Sequence, residues 1–174
     1  MPEPTESAVI VAVPAAELAV RAHRRQFDTA AAWGVPAQVT VLYPFVPPSQ
    51  IGRVVLATLA NVVAAVPRFS ADWNTTNWFG QEVLWLAPEP GASFRALTTA
   101  VSQAFPNYLP YEGQFDDVVP HLTVGDKGSA EELRTVEREV LSHLPISMAV
   151  THVQVICGTT VPDSWQTIGE FPLG

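Results

Sequence analysis

Residues 7–27, SAVIVAVPAAELAVRAHRRQF, pass from an unbroken apolar run, Val9 to Val13, through Pro14 into a stretch with apolar residues at helical spacing. The first pattern predicts a strand, the second a helix with Ala16, Val20 and Phe27 on its inward face. The same succession returns at 82–105, where Val83 to Ala87 meet Pro88 and Pro90 before a helical stretch carrying Phe94, Leu97, Val101 and Phe105. Each helix is followed by a loop containing Gly and Pro, and each loop opens into a short tetrad: Gln38-Val39-Thr40-Val41 or His121-Leu122-Thr123-Val124.

The correspondence continues beyond the tetrads. Segments 47–67 and 126–145 both start at turn residues, run for about five helical turns and end at a proline. In the second, Ser129 with Glu132 is a capping-box signature. Strand-like segments follow at 68–79 and 146–158, and a last strand at 164–173 closes the chain. Gly80-Gln81 predicts a two-residue hairpin turn of the II′ kind. Strand, helix, strand, helix, strand thus occurs twice, with one extra strand. This order predicts an α+β protein of two pseudo-symmetric lobes, each a small, mostly antiparallel sheet covered by helices, facing a central groove. The expected division is one bilobal domain, 1–174, with approximate halves 1–80 and 81–174.

Side chains two apart in a strand share a face. Gln38 and Thr40 therefore point one way, as do His121 and Thr123, while Val39, Val41, Leu122 and Val124 point to a buried side. Two such strands set side by side would line one groove with four polar groups. The two threonines and His121 would converge there on an anion, without a competing carboxylate.

Composition narrows the partners. The chain has 174 residues, 48% of them apolar, with nine Lys and Arg against seventeen Asp and Glu and a formal charge of −8. Its only close group of basic residues is Arg21, Arg24 and Arg25, too little for a polyphosphate track, so long nucleic acid is not an expected partner. A small anion held by local hydrogen bonds is compatible with that charge. No apolar stretch has membrane-spanning length, and residues 1–6 lack the basic and apolar regions of a signal peptide. The single cysteine, Cys157, fits a reducing cytoplasm. A monomer without metal or cofactor is expected.

At the tetrads the chain resembles the two-histidine phosphoesterases, specifically the 2′-5′ RNA ligase-like group. WGVPAQVTVLYPFVPP, WFGQEVLWLAPEP and VVPHLTVG carry the likeness over nearly the whole length. That resemblance implies a His-x-Thr/Ser-x motif in each lobe, with one histidine as general base and the other as general acid on a phosphodiester, commonly a 2′,3′-cyclic phosphate. It implies His121 as an acid/base group, Thr40 and Thr123 as phosphate ligands, and no metal. The first motif departs from the pattern, since Gln38 stands where its histidine belongs. A carboxamide exchanges hydrogen bonds but not protons near neutrality. Losing a general acid or base costs about 10²–10⁴ in rate.

Three readings follow: an impaired hydrolase or transferase of small cyclic or 2′-5′-linked phosphodiesters, a groove repurposed for another reaction such as that of a cyclase or lyase, and a non-catalytic small-ligand binder. Other residues read more blandly. His23 and His143 belong to solvated helix faces, His152 to a strand, and Cys157 to the core. Tyr43, Phe45 and Trp78, with Phe79, are candidates for stacking on a flat ligand. Asp116 and Asp117, adjacent in an extended segment, point apart and do not suggest a metal.

Overall fold

A computed structural model describes residues 2–115 and 117–174. Its elements, in order, are β1 (Glu6–Ala12), α1 (Glu17–Phe27), α2 (Thr29–Ala32), β2 (Gln38–Leu42), α3 (Arg53–Ala64), β3 (Phe69–Phe79), β4 (Val83–Glu89), α4 (Gly91–Ala104), β5 (Leu122–Gly125), α5 (Ala130–Leu141), β6 (Ile146–Val150), β7 (His152–Gly158) and β8 (Gln166–Pro172). They form two four-stranded sheets, ordered β2-β1-β7-β8 and β5-β4-β3-β6, in which every neighbouring pair is antiparallel. The two orders correspond place by place. Each tetrad strand is an edge strand, beside the strand that opens its own half of the pattern.

The strands do not divide at residue 80. The first sheet takes β1 and β2 from the start of the chain and β7 and β8 from its end, while β3 to β6 build the second. Segment 146–158, expected as one strand, breaks at Thr151. Ile146–Val150 pairs with Phe69–Trp73 of β3, whereas Gln154–Gly158 pairs with Glu6–Ile10 of β1. Both pieces are strand-like, so the apolar pattern conceals a change of sheet that long-range hydrogen bonding decides. The hairpin after β3 also differs by a residue. Phe79 pairs with Val83, leaving three connecting residues, and Glu82 N–H donates to the Phe79 carbonyl at 3.3 Å. Gly80 sits there at φ +58°, where a side chain would be strained.

Helices pack crosswise. α1 leads into β2 of the first sheet but lies against β5 of the second, and α4 leads into β5 but lies against β2. The predicted inward residues, Ala16, Val20 and Phe27 with Phe94, Leu97, Val101 and Phe105, are all buried. In α5 the capping box forms as expected: Ser129 Oγ accepts from Glu132 N–H at 3.1 Å, and Glu132 accepts from Ser129 N–H at 3.0 Å. Among the described residues, no helix is long and apolar enough to cross a membrane.

Among the described residues, one Asp–Arg pair is fully buried. Arg24 Nε and Nη2 both reach Asp28 Oδ2 at 2.8 Å, and Nη2 also donates to the Val35 carbonyl at 3.1 Å. Asp28 Oδ1 accepts from Ala30 N–H at 3.0 Å, starting the short α2 that the sequence pattern does not reveal. The pair thus ties the end of α1 to the loop carrying Trp33 and Val35. Asp28→Ala leaves a buried guanidinium uncompensated and should cost about 3–5 kcal/mol, whereas replacing both partners by Met and Leu should cost clearly less. Chemical denaturation of the two variants measures the difference.

Candidate active site

The tetrads meet where β2 and β5 adjoin. Val39, Val41, Leu122 and Val124 are at most 2% exposed, and burying each side chain contributes roughly 1.5–3 kcal/mol. Gln38, Thr40, His121 and Thr123, at alternate positions, are only half-buried. Burial of the aliphatic partners therefore fixes which way the polar groups point.

Those polar groups line two compartments. Gln38 and Thr40 border a cavity of about 190 Å³, walled by Ile10, Trp33, Tyr43, Ile156 and Trp165 among others. His121 and Thr123 border a larger one of about 600 Å³, walled by Phe79, Val83, Tyr111, Phe115, Val118 and Val119, with Asp117 and Asp126 at its margin. Tyr111 lines the larger cavity, and burial pushes its hydroxyl pKa up, against an opposing side-chain interaction with Thr40 of the smaller. Thr40 donates to Gln38 Oε1 at 3.0 Å, which leaves the Gln38 NH₂ as a donor.

Tyr111 comes from a segment that sequence patterning passes over. Its N–H donates to the Tyr43 carbonyl at 2.6 Å, and its ring meets Tyr43 and Phe115 edge-on. Tyr111 and Glu112 adopt left-handed backbone at φ 50° and 57°. Non-glycine residues there cost on the order of 1–3 kcal/mol each. The fold accepts that cost where it sets Tyr111 against Tyr43, just past β2.

His121 is held by its backbone and by aromatic rings. Nδ1 lies 2.7 Å from the Val119 carbonyl, which only a protonated Nδ1 can satisfy, so in the neutral ring Nε2 is the bare nitrogen. The ring packs edge-on to Phe79 at 5.1 Å and to Trp85 at 5.9 Å. Desolvation pushes its pKa below the ordinary value, against the opposing bond to Val119. At neutral pH the imidazole is a base rather than an acid.

Charge in the groove differs from expectation. Instead of an anion site free of carboxylates, Asp117 and Asp126 line the larger cavity with His121 and Thr123, and among the described residues no Lys or Arg lines either cavity. Asp117 is paired with Arg95, and Asp126 accepts from Thr29 N–H at 2.9 Å and from its hydroxyl at 3.0 Å.

Of the anticipated stacking residues, Tyr43 lines the smaller cavity, with its hydroxyl donating to Glu6 at 2.8 Å and its pKa pushed up to about 12, mainly by burial and then by Glu6. Trp78 does not enter the groove. Strand alternation turns it to the helix side, where Nε1 donates to Glu137 at 2.6 Å, while its neighbour Phe79 faces His121. Phe45 is 3% exposed and packs edge-on to Phe105 in the core. His23 is half-buried and lies 3.2 Å from Glu139 on α5 rather than on a solvated face. Trp33, Trp165 and Tyr111 are groove residues that sequence reasoning missed. Trp33 and Trp165 lie in irregular segments and Tyr111 in a single kinked 3-10 turn, Pro110–Gly113, where no periodicity marks them.

Cys157 is buried, and burial pushes its thiol up to about 11, as for a core residue. Among the described residues, no three His, Cys, Asp or Glu side chains group to hold a metal. Asp116 lies outside the described residues.

The pattern of the 2′-5′ RNA ligase superfamily matches residues 12–159. In fold the chain is similar to E. coli LigT complexed with 3′-AMP (14% identity, 98% of this chain and 99% of that chain, TM-score 0.61). It is likewise similar to E. coli LigT complexed with phosphate (14%, 99% and 99%, 0.59) and to TT0787 of Thermus thermophilus (14%, 96% and 97%, 0.64). At these identities the likeness is one of fold. No curated protein matches the sequence.

The His121 environment has a measurable consequence. A histidine whose pKa is depressed by folding contributes stability that is complete above the unfolded value, about 6.5, and is lost as pH falls through the folded value. NMR titration should place the His121 imidazole below that ordinary value. His121→Gln should flatten the fall in stability over the same interval.

Proposed function

Because the chain belongs to the 2′-5′ RNA ligase superfamily, we propose that it acts on small cyclic or 2′-5′-linked phosphodiesters through one proton-transfer group, His121, at a rate limited by Gln38. The observation that carries this reading is the bond from His121 Nδ1 to Val119, which leaves Nε2 as a neutral acceptor beside the larger cavity. Nε2 takes the proton of the attacking hydroxyl or water, and Thr123 donates to a phosphoryl oxygen. Gln38 donates from its amide nitrogen but delivers no proton to the leaving oxygen. That oxygen must be protonated from solvent, so turnover is slow.

A second reading, a groove turned to a different reaction, is favoured by one feature. Both cavities are walled mainly by apolar and aromatic groups, the larger with carboxylates at its margin, and neither has a lining cation among the described residues. The two readings differ in sign at residue 38. Under the first, Gln38→His supplies the missing group; under the second, it damages whatever activity exists.

Turnover of a 2′,3′-cyclic nucleotide should be low but measurable. Gln38→His should raise it by a factor of about 10²–10⁴. The wild type should show a single ionisation, with rate rising as pH rises through the lowered His121 pKa. The Gln38→His enzyme should show a bell-shaped profile, and adding His121→Ala should abolish the gain, because the two groups act as a unit. No gain with any cyclic or 2′-5′-linked substrate rejects the proposal and leaves repurposing.

A further inference from the structure

The smaller cavity has a chemistry of its own. Its walls include Ile10, Ile156 and three aromatic side chains, and among the described residues no charged side chain lines it. Two of the aromatic polar atoms are satisfied elsewhere: Trp165 Nε1 donates to the Thr159 carbonyl at 3.0 Å, and the Tyr43 hydroxyl donates to Glu6. The polar end is formed by Gln38 and Thr40, and there the hydrogen bonds have a direction. Thr40 donates to Gln38 Oε1 at 3.0 Å. The amide oxygen is thus occupied, and Gln38 presents N–H groups that have no partner among the described residues. At about 190 Å³ the cavity is smaller than the roughly 300–1,000 Å³ that encloses a whole drug-sized ligand, so it suits one flat portion of a ligand.

We propose that this cavity is a subsite for an uncharged aromatic ring system of one or two fused rings, carrying a hydrogen-bond acceptor that Gln38 reads. The Thr40 hydroxyl, donating to Oε1, holds the carboxamide with its N–H groups unpaired. Gln38 thereby selects an acceptor over a donor on the bound ring, because a donor facing it would leave two N–H groups opposed and one desolvated without a partner. This uses the same groove as the phosphodiester reading but needs no turnover. Ring binding and catalysis can therefore fail separately.

The test uses three probes of similar shape: quinoline, with a ring-nitrogen acceptor; indole, with a donor; and naphthalene, with neither. Binding is followed by NMR through the indole N–H resonances of Trp33 and Trp165, with the full chain at neutral pH. Quinoline should shift both resonances and bind about tenfold more tightly than indole or naphthalene. Gln38→Glu, which presents only acceptors, should reverse the order of quinoline and indole. Thr40→Val, which removes the hydroxyl bound to Gln38 Oε1, should narrow the quinoline preference without abolishing ring binding, since it frees the amide to turn. Trp33→Ala, on a partly buried wall packed against the cluster of Ile10, Val35, Ile156 and Trp165, should weaken all three probes, read through Trp165, and keeps the proposal testable should Gln38→Glu fail to fold. Equal affinity for the three rings overturns the assignment. So does a response confined to the resonance of Trp85 beside His121, or no response at all.

Discussion

Adjacent side chains of a strand cannot face the same way, and at two edge strands this restriction organises the molecule. Val39 and Val41 in one, and Leu122 and Val124 in the other, are buried beneath the crossing helices. Their alternation leaves Gln38, Thr40, His121 and Thr123 nowhere to point but the groove. A one-residue slip in either strand would exchange the two sets, putting an imidazole or carboxamide into the core. The register of β2 against β1 and of β5 against β4 therefore protects the fold and the site together.

The electrostatic character of the groove follows from what surrounds those four side chains. Aromatic rings beside His121 remove water and so disfavour its charged form. The carboxylates at the rim belong to local structure, Asp117 with Arg95 and Asp126 with the start of α2. The result is a site rich in hydrogen-bond direction and poor in fixed positive charge. A ligand entering there would meet oriented donors and acceptors more than long-range attraction, in keeping with an acidic chain of formal charge −8.

Much of this architecture is legible from apolar periodicity alone. The repeated order of elements, the inward faces of α1 and α4, and the outward turn of the tetrads all rest on local patterns of period 3.6 or 2. What escapes depends on distant partners. Nothing local distinguishes β6 from β7, because the break at Thr151 arises from competition between β3 and β1 for neighbouring backbone. Trp78 and Phe79 are adjacent aromatics on one strand, and only the register against β4 decides which of them faces the groove. Trp33 and Trp165 occupy loops and Tyr111 a kinked 3-10 turn, where conformation follows from tertiary contacts. Gln38 is the reverse case, visible in the sequence because it interrupts a repeat.

The exchange of strands between sheets also constrains how this chain acquires its structure. The first sheet joins the two ends of the sequence, since β1 pairs with β7, and its two halves are separated by the whole of β3 to β6. The middle segment can collect its four strands from contiguous sequence. The first sheet must wait for the last residues. Closing so long a loop adds an entropic cost that only the completed ladder repays, and a high share of distant pairings slows folding. During synthesis, β1 and β2 would emerge with only each other as partners, while the intervening lobe could already be assembled. The groove, lined from both lobes, would be the last part of the protein to exist.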